Sequence, residues 1–228
     1  VVQLASEGPV RLAVVECDAS LGLRATAQWR DEAGALPADA TLAVLVGDLA
    51  RARLAITLDP KDGGPIYQGV VAIGGGSIAG LIEHYLATSE QIDSRMLLVA
   101  GDDGVRGLLV QRLPGAGPED DDAWQRAVAA VAAFDRVRFA RAATIGDLVA
   151  AALPEEDIRL FAARATRFAC PCSETRVERA LRLLGRAEIE TLLAERGDVE
   201  VTCEFCNRTY ALDPASARAL FSDESRPA

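Results

Sequence analysis

Apolar residues in the first half of the chain fall in short runs cut apart by turn residues, which is the pattern of strands. Such runs occupy residues 10–16, 23–29, 42–46, 54–58 and 67–73. The first two flank Asp18-Ala-Ser-Leu-Gly22, and Asp59-Pro-Lys-Asp-Gly-Gly64 is a loop signal before the fifth. Residues 96–100 and 105–111 read as a hairpin around Gly101-Asp-Asp-Gly104. One stretch changes period. Ser77 precedes Ile78, Leu81, Ile82, Tyr85 and Leu86, which share one face of a helix capped by that serine. Many strands with few helices between them predict an α+β core built on an antiparallel sheet.

At Leu113-Pro-Gly-Ala-Gly-Pro118 the composition shifts. Acidic Glu119-Asp-Asp-Asp122 then opens an Ala- and Arg-rich stretch that reads as helical to about residue 163. Negative charge is favourable at a helix start. Trp124, Ala127, Val128, Val131 and Phe134 form one stripe, and Thr144 caps a second short helix over 145–153 that Pro154 ends. Ala-rich helices bury little area per residue, so such a segment is held by what it packs against. The expected organisation is a core domain over 1–118, a helical linker over 119–167 and a small third domain over 168–228.

The third domain holds four of the five cysteines, as Cys170-Pro-Cys172 and Cys203-Glu-Phe-Cys206. Between the pairs, Ser173 caps a helix carrying Val177, Ala180, Leu181 and Leu184, and Gly185 ends it. Ile189, Leu192 and Leu193 line a second helix that stops at Gly197. Val199 and Val201 alternate into the second cysteine pair, residues 208–212 form the return strand, and Asp213-Pro214 opens a last helix to Phe221. Two tight thiol pairs joined by a foldable segment can converge on one tetrahedral Zn²⁺ site. Pro171 biases Cys170 towards an extended backbone, which helps project both sulfurs together. A domain this small has a thin core of the kind a metal staples. Cys17 stands alone and reads as a buried or strand-end structural thiol. Structural disulfides would suit a small secreted domain, but the chain opens on no charged-then-apolar signal segment.

Half of the residues are hydrophobic, yet no apolar run reaches the roughly 18 residues of a membrane span. The net charge is −10, and of 24 basic residues only Lys61 is a lysine. Residues 168–228 carry eight Arg against eleven Asp and Glu. Phosphate backbones are bound by clustered Lys and Arg, so no nucleic-acid partner is expected. Gly74-Gly-Gly76-Ser77 lies between a strand and a helix but lacks the Gly-Lys-Ser/Thr ending of a phosphate loop, and reads as a turn into a cap. His84, the only histidine, falls off the apolar stripe and reads as solvated. There is no G-x-S-x-G nucleophile motif. No catalytic residue is expected, and no enzyme.

Zinc would hold all four sulfurs as thiolates, the nucleophilic form. An oxidant such as peroxide converts a thiolate to sulfenic acid, which condenses with a neighbouring thiol. Each motif places a partner two or three positions away, so Cys170–Cys172 and Cys203–Cys206 are the expected disulfides, formed with loss of the metal. On the residues alone three readings stand: a redox switch, a static zinc-ribbon interaction module, and an oxidoreductase C-x-x-C pair. The last would need the strand-to-helix setting of a thioredoxin-like motif, whereas this pair lies in a hairpin.

Cys170-Pro-Cys172-Ser, followed by Arg176-Val-Glu-Arg-Ala-Leu181 and by Glu200-Val-Thr-Cys-Glu-Phe-Cys-Asn207, resembles the C-terminal redox switch of the heat shock protein 33 family. These are redox-regulated holdase chaperones of the bacterial cytoplasm and some organelles. Tyr67-Gln-Gly-Val-Val71, and Tyr85 leading to Ser89-Glu-Gln91 and Arg95, agree with it. The resemblance implies an inactive reduced form with one Zn²⁺ per chain on Cys170, Cys172, Cys203 and Cys206. It implies that oxidation to two disulfides releases the zinc, unfolds the third domain and destabilises the linker. Unfolding client proteins are then bound without ATP, by a form that associates as a homodimer in the cytoplasm. The family has a further N-terminal segment of several dozen residues, whereas this chain opens on Val1 without an initiator Met.

Overall fold

The computed structural model describes residues 1–222 except 32–33, 38, 61–62, 75, 102–103, 116, 142–143 and 154–156; residues 119, 138, 140, 141 and 150–152 are described by their backbone alone. Two compact units are present, one of Val1–Val14 and Ala27–Arg164 and one of Val15–Thr26 and Ala165–Ala228.

The elements of the first stretch of chain are β1 (Val2–Ala5), β2 (Val10–Cys17), β3 (Gly22–Trp29), α1 (Leu42–Val46), β4 (Arg53–Leu58), β5 (Tyr67–Ala72), α2 (Ile78–Thr88), β6 (Ser94–Gly101) and β7 (Gly104–Gln111). Strands β2 and β3 carry residues of both units. In the first unit the sheet order is β5-β4-β1-β2-β3. The register aligns Leu4 with Leu54 and Leu54 with Val71, so successive strands bring their inward side chains to one line. Helix α2 lays Leu81 and Tyr85 on that line to close the core. The Tyr85 hydroxyl, at the edge of this core, donates to Glu90 at 2.6 Å, and burial together with that carboxylate pushes its pKa up to about 12.

Strands β6 and β7 form a separate antiparallel pair running from Ser94↔Gln111 to Gly101↔Gly104, as the sequence pattern predicts; Asp102 and Asp103 lie outside the described residues. After it come α3 (Asp121–Ala133), α4 (Arg136–Arg141) and α5 (Ile145–Ala152). Leu97 and Val99 of β6, Phe139 of α4 and Leu148 of α5 make a second small core, against which Val131 and Phe134 pack. Phe134 and Phe139 meet edge to face at 5.5 Å, and the Arg136 guanidinium donates to the Leu98 carbonyl at 2.8 Å. No residue of α3 is fully buried; Trp124, Ala127 and Val128 are half-buried.

Two expectations are corrected. Residues 42–46 form helix α1, not a strand: Thr41 accepts from the Val44 N–H at 3.4 Å and Gly47, at φ 67°, stops the turn. A five-residue apolar run has no period that separates the two states, and here the caps decide. The helical stretch read as reaching residue 163 ends at Ala152; residues 157–166 have no regular structure, with Leu160 and Phe161 exposed at 65% and 77%. The Pro154 stop falls outside the described residues, and the ten residues 157–166 are too short to sustain a helix without a packed face. Strand β1 joins the sheet without a sequence signal, because four residues including Gln3 carry too little pattern.

The second unit adds β8 (Arg167–Phe168), α6 (Glu174–Leu184), α7 (Arg186–Arg196), β9 (Val199–Thr202), β10 (Thr209–Leu212) and α8 (Pro214–Ala219). Its punctuation follows the sequence. Ser173 accepts from the Arg176 N–H at 3.3 Å, and Asp213 accepts from the Ser216 N–H at 2.7 Å with Pro214 at the first helical position. Gly197 ends α7 in the left-handed conformation, φ 87°. Val177, Leu181, Ile189, Leu193, Val199, Leu212 and Phe221 are buried in its core.

Candidate metal centre

The two cysteine arms are built differently. β9 and β10 pair antiparallel from Val199↔Leu212 to Thr202↔Thr209, and the chain between them folds into a knuckle. The Cys203 N–H donates to the Arg208 carbonyl at 2.9 Å, and the Asn207 N–H donates to the Cys203 carbonyl at 2.8 Å. Asn207 takes φ 57°, which asparagine tolerates better than most side chains. Cys170 and Cys172 instead straddle Pro171 in chain without regular structure, between β8 and the Ser173 cap.

All four sulfurs meet. They lie within 4.8 Å of one another, with Cys170 and Cys203 at 3.7 Å and Cys172 and Cys206 at 3.4 Å. A tetrahedral zinc with bonds of about 2.3 Å sets its sulfurs about 3.8 Å apart, so the donor set and spacing fit that ion. No other such group of potential metal ligands occurs among the described residues.

The sulfurs are surrounded by donors. The Tyr210 hydroxyl donates to Cys172 Sγ at 3.2 Å, and the Arg24 guanidinium donates to Cys170 Sγ at 3.7 Å. Burial alone would raise the Cys170 thiol. The Cys172 N–H, Arg24 and the Cys172 and Cys203 thiols outweigh it and bring it down to about 6. Cys206 is driven the opposite way. The Arg208 N–H alone would lower it, but the neighbouring sulfurs and burial push it up to about 12. Such a split is what four close thiols do when each further negative charge meets the last.

Cys17 ends β2 exposed and outside the cluster, so the buried form of that expectation does not hold. Ser77 caps α2, accepting from the Gly80 N–H at 3.2 Å, and His84 is exposed on that helix. The contributions of Arg24 and Tyr210 had no sequence signal. Arg24 lies 146 residues before Cys170, and pairing at that distance is set by topology.

A model of the family described as Hsp33 protein matches residues 1–213. The chain belongs to the Hsp33 family. It is 38% identical over 227 residues to the 33 kDa chaperonin of Methylobacillus flagellatus, an alignment covering 98% of this chain and 74% of that protein. The 33 kDa chaperonin of Chromobacterium violaceum is 33% identical over 222 residues, covering 97% and 73%. A crystal structure of the 33 kDa chaperonin (heat shock protein 33 homolog) of Thermotoga maritima shares the fold, with a TM-score of 0.80 at 21% identity over 98% of this chain and 77% of that one. The expected α+β fold with a C-terminal cysteine cluster therefore holds. The Hsp33 family is one of chaperones, not of enzymes, and chaperones bind client proteins. No described helix is long and apolar enough to cross a membrane.

Proposed function

We propose that the chain is an ATP-independent holdase switched by oxidation, with Cys170, Cys172, Cys203 and Cys206 holding one Zn²⁺ in the reduced, inactive protein. The observation that carries this is the convergence of two tight thiol pairs on one point, in a unit with a small core. Bound zinc keeps the sulfurs as thiolates and contributes to folding, with apparent values of about 10–16 kcal/mol in zinc-finger peptides.

Oxidation by a peroxide then proceeds within each pair. One thiolate attacks a peroxide oxygen, the O–O bond breaks, hydroxide leaves and the sulfur becomes sulfenic acid. The partner sulfur attacks it, forming S–S and displacing the oxygen as hydroxide. Two electrons pass from the sulfurs to the peroxide, which with two protons ends as two waters. Sulfurs joined in this way are poor ligands, so the ion is lost and its stabilisation with it.

The folded geometry does not select the pairing, since the shortest sulfur contacts cross between motifs. Chain entropy selects it once the unit opens. Closing a loop within one motif orders far less chain than closing one across the 33 or 34 residues between motifs. Peptide mapping after peroxide with mild unfolding stress is expected to give Cys170–Cys172 and Cys203–Cys206. A map holding only cross-motif or intermolecular bridges contradicts this.

In this reading residues 1–118 act as the core, 119–167 as a linker and 168–228 as the switch. Losing the switch domain loosens the linker and exposes Trp124, Val128, Val131 and Phe134 to unfolding clients. Exposed apolar patches of that kind are interaction sites. The oxidised form pairs as a homodimer, and the reducing cytoplasm keeps the thiols free between stresses. Light scattering of a heat-unfolded client, without ATP, tests it. The reduced, zinc-loaded protein should leave aggregation unchanged and the peroxide-treated protein should suppress it. Equal behaviour in both states would instead mark a static zinc-ribbon module.

A further inference from the structure

Arg24, on β3, is a cation held against both cysteine arms. Its Nη1 donates to Cys170 Sγ at 3.7 Å, and its guanidinium carbon lies 3.9 Å from the centroid of the Phe205 ring, inside the Cys203–Cys206 knuckle. Glu16, across the hairpin, fixes the group by accepting from Nε at 2.8 Å and from Nη2 at 2.7 Å, and the Arg24 side chain is only 17% exposed. All of these residues belong to the second unit.

The approach is built, not incidental. The hairpin tip is closed by Asp18, whose Oδ1 accepts from the N–H groups of Ser20 and Gly22 at 2.8 and 3.0 Å. β8 runs parallel to β3, pairing Gly22 with Arg167 and Leu23 with Phe168, and the Ala169 N–H donates to the Leu23 carbonyl at 3.0 Å. A Cβ on Gly22 would come within 2.9 Å of the Ala169 Cβ, so the two backbones approach at a distance only glycine permits. Arg167 in turn donates to the Ser20 carbonyl at 3.2 Å and to its hydroxyl at 3.0 Å. The clasp ends one residue before Cys170.

We propose that Arg24 is a positioning residue of the metal centre: it bridges the two ligand arms and balances the negative charge that four thiolates leave around a divalent ion. This rests on the zinc reading above and extends it to a residue outside the cysteine motifs. A guanidinium suits the task because its planar fork donates to sulfur and carboxylate while its face stacks on an aromatic ring. Partners beyond the ligands themselves typically change metal affinity by about 10–100-fold.

The test compares wild type, Arg24→Met, Arg24→Lys and Phe205→Leu, with Arg218→Met as a charge-matched control, since Arg218 pairs with Glu190 elsewhere in the unit. Zinc affinity is read by competition with a colorimetric chelator, and the centre is read spectroscopically by loading Co²⁺ in place of zinc. Arg24→Met should weaken zinc binding about tenfold or more. Its sulfur-to-cobalt charge-transfer band should move to longer wavelength, because a sulfur that loses an N–H donor gives up its electron more easily. Arg24→Lys should recover part of the affinity, Phe205→Leu should weaken binding less than Arg24→Met, and Arg218→Met should match wild type. Wild-type affinity and an unmoved band in Arg24→Met overturn the role of Arg24 alone, as does equal weakening in Arg218→Met. A wild-type protein that takes up neither metal overturns the zinc reading and this proposal together.

Discussion

Stripping zinc from the reduced protein, or replacing Cys203 by Ser, is expected to unfold the cysteine-bearing unit while leaving the strands of the first unit folded. The magnitudes decide this. A core as small as that around Leu181, Ile189 and Val199 supplies about 3–5 kcal/mol at most. A structural zinc contributes on the order of 10 kcal/mol. Without the metal, the caps at Ser173 and Asp213 and exposed ion pairs such as Arg218 with Glu190 and Arg182 with Glu178 add little to that core. Hydrogen exchange should find amides of β9, β10, α6 and α7 exchanging at unprotected rates, with those of β4 and β5 still slow. Cys17→Ser should bind one zinc per chain and keep every protected amide, since Cys17 lies outside the cluster. Protection of β9 and β10 without metal would show that the core suffices alone.

Oxidation should also move Trp124 into water. Helix α3 is 13 residues long and Ala-rich, with no fully buried residue, so its persistence depends on the partial burial of one stripe. Val131 and Phe134 anchor its end against β6, where Arg136 holds the Leu98 carbonyl. Strands β2 and β3 carry residues of both units, and in the proposed holdase loss of order in the second loosens the linker helices while β4 and β5 stay folded. With Trp29, already 57% exposed, replaced by Phe, the emission of Trp124 should shift to the red on oxidation. Trypsin should gain access to Arg126 and Arg136, and returning thiols and zinc should reverse both signals. An oxidised, chaperone-active protein with Trp124 still shielded would make the linker a passive tether and put the client surface elsewhere.

Local signals in the chain were informative wherever a cap or a turn residue bounded an apolar run. Ser77, Ser173, Gly197 and Asp213-Pro214 mark helix ends that the structure keeps, and the two cysteine motifs announced a four-sulfur cluster. The run at 42–46 misled because hydrophobic side chains alone do not choose between strand and helix at five residues; Thr41 and Gly47 held the answer. Residues 157–163 misled for the converse reason. Ala and Arg have high helix propensity, but propensity without a buried face does not sustain a helix. Arg24 and Glu16 could not be joined to the cysteine motifs from the sequence, because the pairing of β3 with β8 brings them to Cys170.

The most direct test follows three quantities in one sample as peroxide is added under mild heat: bound zinc, free thiols and the scattering of an aggregating client. A redox-switched holdase predicts that one zinc and four thiols are lost together and that aggregation is suppressed over the same interval. Client protection that is already complete before any zinc or thiol is lost, or absent after all are lost, contradicts it.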